Sequence, residues 1–303
     1  MRILVYGGLG FIGANLAEAL AGLGEVYVAH RPGSPQRRPR LAQFVSRYAR
    51  PVEYRDPAEP LKAVNPDVIY NLVGEYFGPP EKLAEANVEF PRRLCGAARE
   101  AGWDGAVVHV SAATVVGPKG GVIAEEPRHL EGISPASDFD RQKAEGERIV
   151  AGCFRRWVIV RPALVYGRFN DHPEWAQLVS IIRRGVVPLI RAKVSAISVR
   201  ELAKALASAQ GLKNEYFFAA ECSPRPLSQF AEAIAEALGG PRVKMPIPAA
   251  LLKAAAPREL RRHMPFLDKA FSCEKMKRLL GYEPRPDFER EVRDMVDYIL
   301  GRP

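Results

Sequence analysis

The chain has 303 residues, 47% of them hydrophobic and 26% charged, with a formal net charge of +9. This length and balance allow a full buried core and exclude a disordered or fibrous chain, and no apolar run reaches the roughly 18 residues of a membrane span. Four cysteines and five histidines are scattered without metal-ligand spacing, so no metal site is expected.

RILVY (2–6) reads as a short buried strand and FIGANLAEALAG (11–22) as a helix, with GGLGFIG (7–13) between them. A glycine triplet gains its meaning from this strand–turn–helix setting. Gly7 permits the tight turn, Gly10 lets backbone approach a diphosphate, and Gly13 allows helix to pack closely on strand. The first N–H groups of the helix, at Phe11 and Ile12, are offered to the anion. MRILVYGG turns to glycines too early for a secretory leader, so a cytoplasmic location is the expectation.

EVYVAH (25–30) is the second strand, and its end carries Arg31 and Ser34 where a carboxylate would favour NAD(H). An arginine fork and a hydroxyl suit a 2′-phosphate, so NADP(H) is expected over NAD(H), which stays the alternative. The plainer role for Arg31 is to stack on an adenine. Arg37 and Arg38 lie close by, but the prolines around them limit their reach. Asp56 can take a bond from an adenine amino group or cap the helix that follows it.

A helix over 40–49, strands at 51–55 and 67–73, a helix over 80–101, a strand at 106–111, a helix over 137–151 and a strand at 157–162 follow. Pro91 should kink or locally break the long helix. The apolar strands alternating with helices predict an α/β fold, a Rossmann-type doubly wound parallel sheet over 1–167. A smaller C-terminal substrate lobe is expected over 168–303, with some segments returning to the sheet. Its elements are helices near 173–184, 200–210, 227–240, 246–263 and 288–300, and strands at 194–199 and 215–220. The basic stretches 31–40 and 253–285 attract polyanions but carry no recognition-helix pattern, so no specific nucleic-acid partner is expected. The cysteines read as single thiols packed in the core, with disulfide pairing left open.

Taken together, these segments resemble the extended short-chain dehydrogenase/reductases, which include the NAD-dependent epimerases and dehydratases. GGLGFIG is similar to their cofactor motif, and NLVG (71–74) to the stretch backing the cofactor, which implies roles for Leu72, Val73 and Gly74. SAATVVG (111–117) resembles the active-site strand end, with Ser111 at the cofactor, and RPALVYG (161–167) the nicotinamide lining, with Pro162 and Ala163. Asn87 in EANVE resembles the asparagine of the central helix, and FSCEKMKRLLGYEP (271–284) the family's tail. The resemblance spans nearly the whole chain and implies a homodimer through the helices at 80–101 and 137–151.

The family's acid–base is a tyrosine four residues before a lysine that holds the nicotinamide ribose. SDFDRQK supplies Lys143 but puts Phe139 in the tyrosine's place, and Ala112 stands where a serine or threonine belongs. Positioned proton transfer contributes roughly 100- to 10,000-fold to rate, so both absences matter. The reading is therefore an NADP(H)-binding, epimerase/dehydratase-like protein with a degenerate or unconventional site, acting as a sensor or assembly subunit. The alternative is an active NAD(P)-dependent oxidoreductase or nucleotide-sugar epimerase with a substitute acid. Tyr76 is the first choice for that acid and Thr114 the second, while Asp138 and Asp140 turn away from the face of Phe139. Arg183, Arg184, Arg191 and Arg200 suit the diphosphate of a nucleotide-sugar substrate. His109 reads as a satisfied core histidine.

Overall fold

Seven strands form one parallel sheet: β1 (Arg2–Tyr6), β2 (Glu25–His30), β3 (Arg50–Glu53), β4 (Val68–Asn71), β5 (Ala106–Val110), β6 (Arg156–Pro162) and β7 (Glu215–Ala219). Their order is β7-β6-β5-β4-β1-β2-β3, and every pairing is parallel. The structure is a computed structural model that describes residues 1–248 and 264–302. The helix expected over 246–263 falls almost wholly outside the described residues.

β1 shows why this sequence is a central strand. Ile3 and Val5 enter one core with Leu16 of α1 (Phe11–Ala19) and Leu20 at its C-terminal cap, while Leu4 and Tyr6 enter another on the opposite face. Period-2 alternation with both sets apolar means that helices must cover both faces. Burial of each aliphatic side chain is worth about 1.5–3 kcal/mol, so the paired cores fix this register.

The second face is covered by α2 (Phe90–Glu100) and α3 (Asp138–Cys153). The long helix expected over 80–101 is broken into Pro80–Ala84, a π-turn at Glu85–Glu89, and α2. Pro91 accounts for the change: it has no N–H, and its ring would collide with the Asn87 carbonyl in a regular helix, so the turn before it widens. Ser137 caps α3 by accepting the Asp140 N–H.

Beyond Gly167, α4 (Pro173–Arg183), α6 (Leu227–Leu238) and α7 (Phe288–Ile299) pack around Tyr166, Trp175, Phe230 and Phe288. Between α4 and α6, α5 (Val199–Ala209) returns to α1 through Leu202 and Leu206. Two-stranded pairings join Leu164–Tyr166 to Ala196–Ser198 and Val186–Leu189 to Val243–Pro246. The Tyr166 hydroxyl donates to Glu221, which also accepts Ser198 N–H and Arg225.

The cysteines differ from the single thiols expected. Cys95 of α2 is bonded to Cys153 at the end of α3, and Cys222 after β7 to Cys273. Partners 58 and 51 residues apart are brought together by the fold, which spacing alone does not reveal. Among the described residues, no helix is long and apolar enough to cross a membrane.

Candidate active site

The crevice lies where the strand order reverses, between β1 and β4. Gly7 has φ +78°, and a Cβ there would lie 2.9 Å from the Leu72 carbonyl carbon. A Cβ on Gly13 would lie 2.4 Å from the Gly7 oxygen. Glycine is therefore required at both positions. Gly10 N–H closes the turn onto Gly7 O at 3.0 Å, and no side chain caps α1. The first amides of α1, at Phe11 and Ile12, thus stay open to an anion that the helix dipole also favours. This cradle fits a dinucleotide diphosphate.

At the end of β2, the Arg31 guanidinium lies near the Tyr54 hydroxyl. Burial pushes that hydroxyl above its ordinary range, and the Arg31 charge opposes the shift. Ser34 accepts from Arg37 at 3.2 Å, while Arg38 reaches back to Leu9 O at 3.1 Å, beside Gly10. Asp56 takes the Ala58 N–H at 2.9 Å and pairs with Arg93 at 3.1 Å, so its carboxylate caps a helix and holds an ion pair.

Across the crevice, Lys143 is buried on α3 and donates to Val110 O at 2.8 Å. Gly74 lies against it, since a Cβ there would be 3.1 Å from Lys143 Nζ and 3.3 Å from Asn87 Oδ1. Asn87, in the π-turn, accepts Glu75 N–H at 3.2 Å and donates to Glu75 O at 2.9 Å. It thereby fixes the loop that carries Tyr76. Desolvation lowers the Lys143 ammonium to about 8, with the Glu147 charge opposing. Burial tends to raise Glu147, yet bonds from His129 and Arg161 hold it at about 2.

Phe139 is buried, and the Tyr76 ring meets it edge to face at 5.3 Å between centroids. His172 stacks on Tyr76 at 5.8 Å and touches Phe11 of the glycine turn at the same distance. Sequence reasoning missed His172, although its place just after RPALVYGRF could have signalled it. The Thr114 hydroxyl is directed away, donated to Asp140. Ser111 is buried and its hydroxyl has no hydrogen-bond partner, while Ala112 is half-buried. Ala163 N–H bonds Ala219 O at 3.0 Å, continuing the β6–β7 pairing past Pro162. Arg183, Arg184 and Arg191 are exposed, whereas Arg200 is tied to Glu291 at 3.1 Å and Asp294 at 2.5 Å. The structure thus gathers the glycine turn, Leu72–Gly74, Tyr76, Asn87, Phe139 and Lys143, and leaves Asp56, Thr114 and Arg200 in structural bonds.

Residues 3–193 match the NAD dependent epimerase/dehydratase family. No curated protein matches the sequence. Among solved structures, the fold is similar to UDP-glucuronic acid 4-epimerase from Bacillus cereus in complex with NAD, with TM-score 0.78, 18% identity and 99% of each chain covered. It is also similar to UDP-glucose 4-epimerase from Thermotoga maritima with UDP-glucose, with TM-score 0.75, 20% identity and 99% of each chain covered. A third is dTDP-glucose 4,6-dehydratase from Bacillus anthracis in complex with NAD, with TM-score 0.72, 17% identity, and 99% of this chain and 97% of that one covered. Identities this low speak to the fold. The coenzyme named in two of these structures is NAD, which overturns the NADP(H) preference expected from Arg31. The physical reason is that an arginine at this place does not by itself select the phosphate, because its guanidinium can stack on an adenine whichever coenzyme is bound.

Proposed function

The chain belongs to the NAD dependent epimerase/dehydratase family, and from that premise we propose an NAD(H)-dependent enzyme acting on a small hydroxyl- or carbonyl-bearing substrate of the nucleotide-sugar type. The observation that carries the reading is Lys143, buried opposite the glycine turn, with Tyr76 against Phe139 beside it. When bound, NAD supplies a hydride acceptor and its reduced form a donor. The open amides of α1 hold the diphosphate, Lys143 holds ribose hydroxyls, and Gly74 leaves room for both. Phe139 has no proton to move and Ala112 no hydroxyl to place near a developing oxyanion. In this reading the Tyr76 phenol takes and returns the substrate proton, with the Asn87 bonds holding its loop. The sugar-nucleotide relatives support the substrate class.

Phe139 and Ala112 also favour a second reading, a protein that holds NAD(H) without turnover. Titration with NAD(H) and a screen of nucleotide sugars for isomerisation or nicotinamide absorbance separate the two. Tyr76→Phe is expected to keep coenzyme affinity and to lower kcat by roughly 100-fold or more. Full activity in that variant would exclude Tyr76, and absence of NAD(H) binding would remove both readings.

A further inference from the structure

His172 joins the two walls of the cleft. Its ring stacks on Tyr76 of the loop after β4, at 5.8 Å between centroids and 17° between planes. It also meets Phe11 of the glycine turn at 5.8 Å and Phe77 at 6.3 Å. The backbone around it is fixed on both sides. His172 N–H donates to Asn170 Oδ1 at 3.0 Å, and the fully buried Asn170 amide donates in turn to Val165 O. His172 O accepts the Trp175 and Ala176 N–H groups as α4 begins. With 39% of its side chain exposed, the imidazole is held in place yet still accessible.

The ring edge carrying Nδ1 faces Glu174, with 3.6 Å between Nδ1 and Oε1. Glu174 lies in the first turn of α4, where the helix dipole favours a carboxylate even at the surface. Its side chain is instead only 12% exposed, and its buried Oε2 has no hydrogen-bond partner. Leaving a buried acceptor unpaired costs about 1–3 kcal/mol, so the dipole alone is a poor account of Glu174. Packing alone is an equally poor account of His172, because phenylalanine would complete the same ring cluster. Phenylalanine cannot hold a proton on one ring atom and a lone pair on another. A carboxylate beside Nδ1 favours the proton there and leaves the lone pair on Nε2, across the ring. Such bonds are often long in an unliganded site and shorten when substrate binds.

Hydride transfer at a carbinol moves one oxygen-bound proton, which the Tyr76 phenol takes. A second acid–base group has work only where a second proton moves. Once the carbinol is a carbonyl, the C–H bond on the neighbouring carbon is the one made acidic. The stacked rings set Tyr76 and His172 side by side, as two neighbouring substrate atoms require. We propose that His172, held by Glu174, is a second acid–base group of the cleft and takes that carbon-bound proton, so that the chemistry extends to enolisation beside the carbonyl. The C–H bond breaks as Nε2 forms an N–H bond. The electron pair becomes the C=C bond of an enol, whose oxygen receives the proton held on Tyr76. Reversal returns both protons, and the step involves no net oxidation. Glu174 is a positioning residue, and the use of His172 rests on the coenzyme-dependent oxidation proposed for this site.

One test reads the His172 tautomer by long-range proton–nitrogen NMR on the intact, coenzyme-free protein, at a pH where the ring is neutral. Loss of the signals in His172→Gln assigns them. The expected result is a proton on Nδ1 and a bare Nε2, with Glu174→Met moving the proton to Nε2. A parent ring protonated on Nε2, or a tautomer unchanged in Glu174→Met, would overturn the dyad. A second test incubates the NAD-loaded protein with UDP-glucose in heavy water and follows deuterium at the carbon beside the oxidised one. His172→Gln should slow its entry about 100-fold or more. Equal rates, or no entry in a parent that reduces NAD with this probe, would remove the role at carbon. Failure to bind NAD(H) would sink the functional proposal, while the tautomer result stands or falls by itself.

Discussion

Phe139 and Tyr76 meet at the centre of the site, and only one of them was readable as a contact from spacing. Lys143 and the three glycines were legible because each acts through its own backbone or its own helix face. The coenzyme preference read from Arg31 was not, since a guanidinium can stack on an adenine whichever coenzyme is bound. His109 was read as a satisfied core residue, yet its nitrogens have no partner. Burial, with the Lys143 charge second, pushes its imidazole from 6.5 down to about 3. Between those values the unfolded chain binds a proton that the folded chain refuses, so stability falls as pH drops through that window. Glu147 acts the same way lower down: its contribution is full above 4.5 and lost as pH approaches about 2. Lys143 disfavours its charged form when folded, so its penalty is present below about 8 and fades as pH rises toward 10.5. Thermal melts from pH 6.5 to 3 should show a decline that His109→Phe makes shallower, by up to about 1.4 kcal/mol per pH unit. An identical slope in parent and variant would show that His109 is charged in the folded chain.

The strands and helices of the first 167 residues were legible because each alternation of apolar runs and helical stretches is local. Pro91 signalled a break, but only packing decided its form. The widened turn presses the Asn87 carbonyl onto α3 at Gly146, where a Cβ would lie 2.5 Å from that oxygen. Two effects compete in Gly146→Ala. Alanine favours the helix by about 1 kcal/mol, whereas overpacking against backbone costs about 1–3 kcal/mol. A backbone oxygen cannot swing aside as a side chain would, so the clash should win. We expect a lower thermal midpoint together with weaker NAD(H) binding, because the displaced Asn87 holds the loop at Glu75. A variant as stable as the parent would mean that the π-turn yields freely.

For the whole molecule, the outer lobe was the less legible part. Its strands are two to four residues long, as in Lys193–Val194 and Val186–Leu189, too short for a periodic signal. The two disulfides were equally hidden, since their partners meet only in the finished fold. Each closes a loop of 51 or 58 residues, which in the loop-entropy view stabilises by about 4 kcal/mol. Reduction should therefore lower the thermal midpoint by at least about 5 °C, measured with and without dithiol. Equal midpoints would show that the cysteines are unpaired in the folded protein.

β7 reaches β6 only after the chain has travelled out through α4 and back along α5. The floor of the cleft and the wall facing it are thus woven from alternating lengths of a single thread. No lone scission separates them with both inner surfaces still covered, so changes in the outer residues can retune what is admitted while the two walls stay bound to each other.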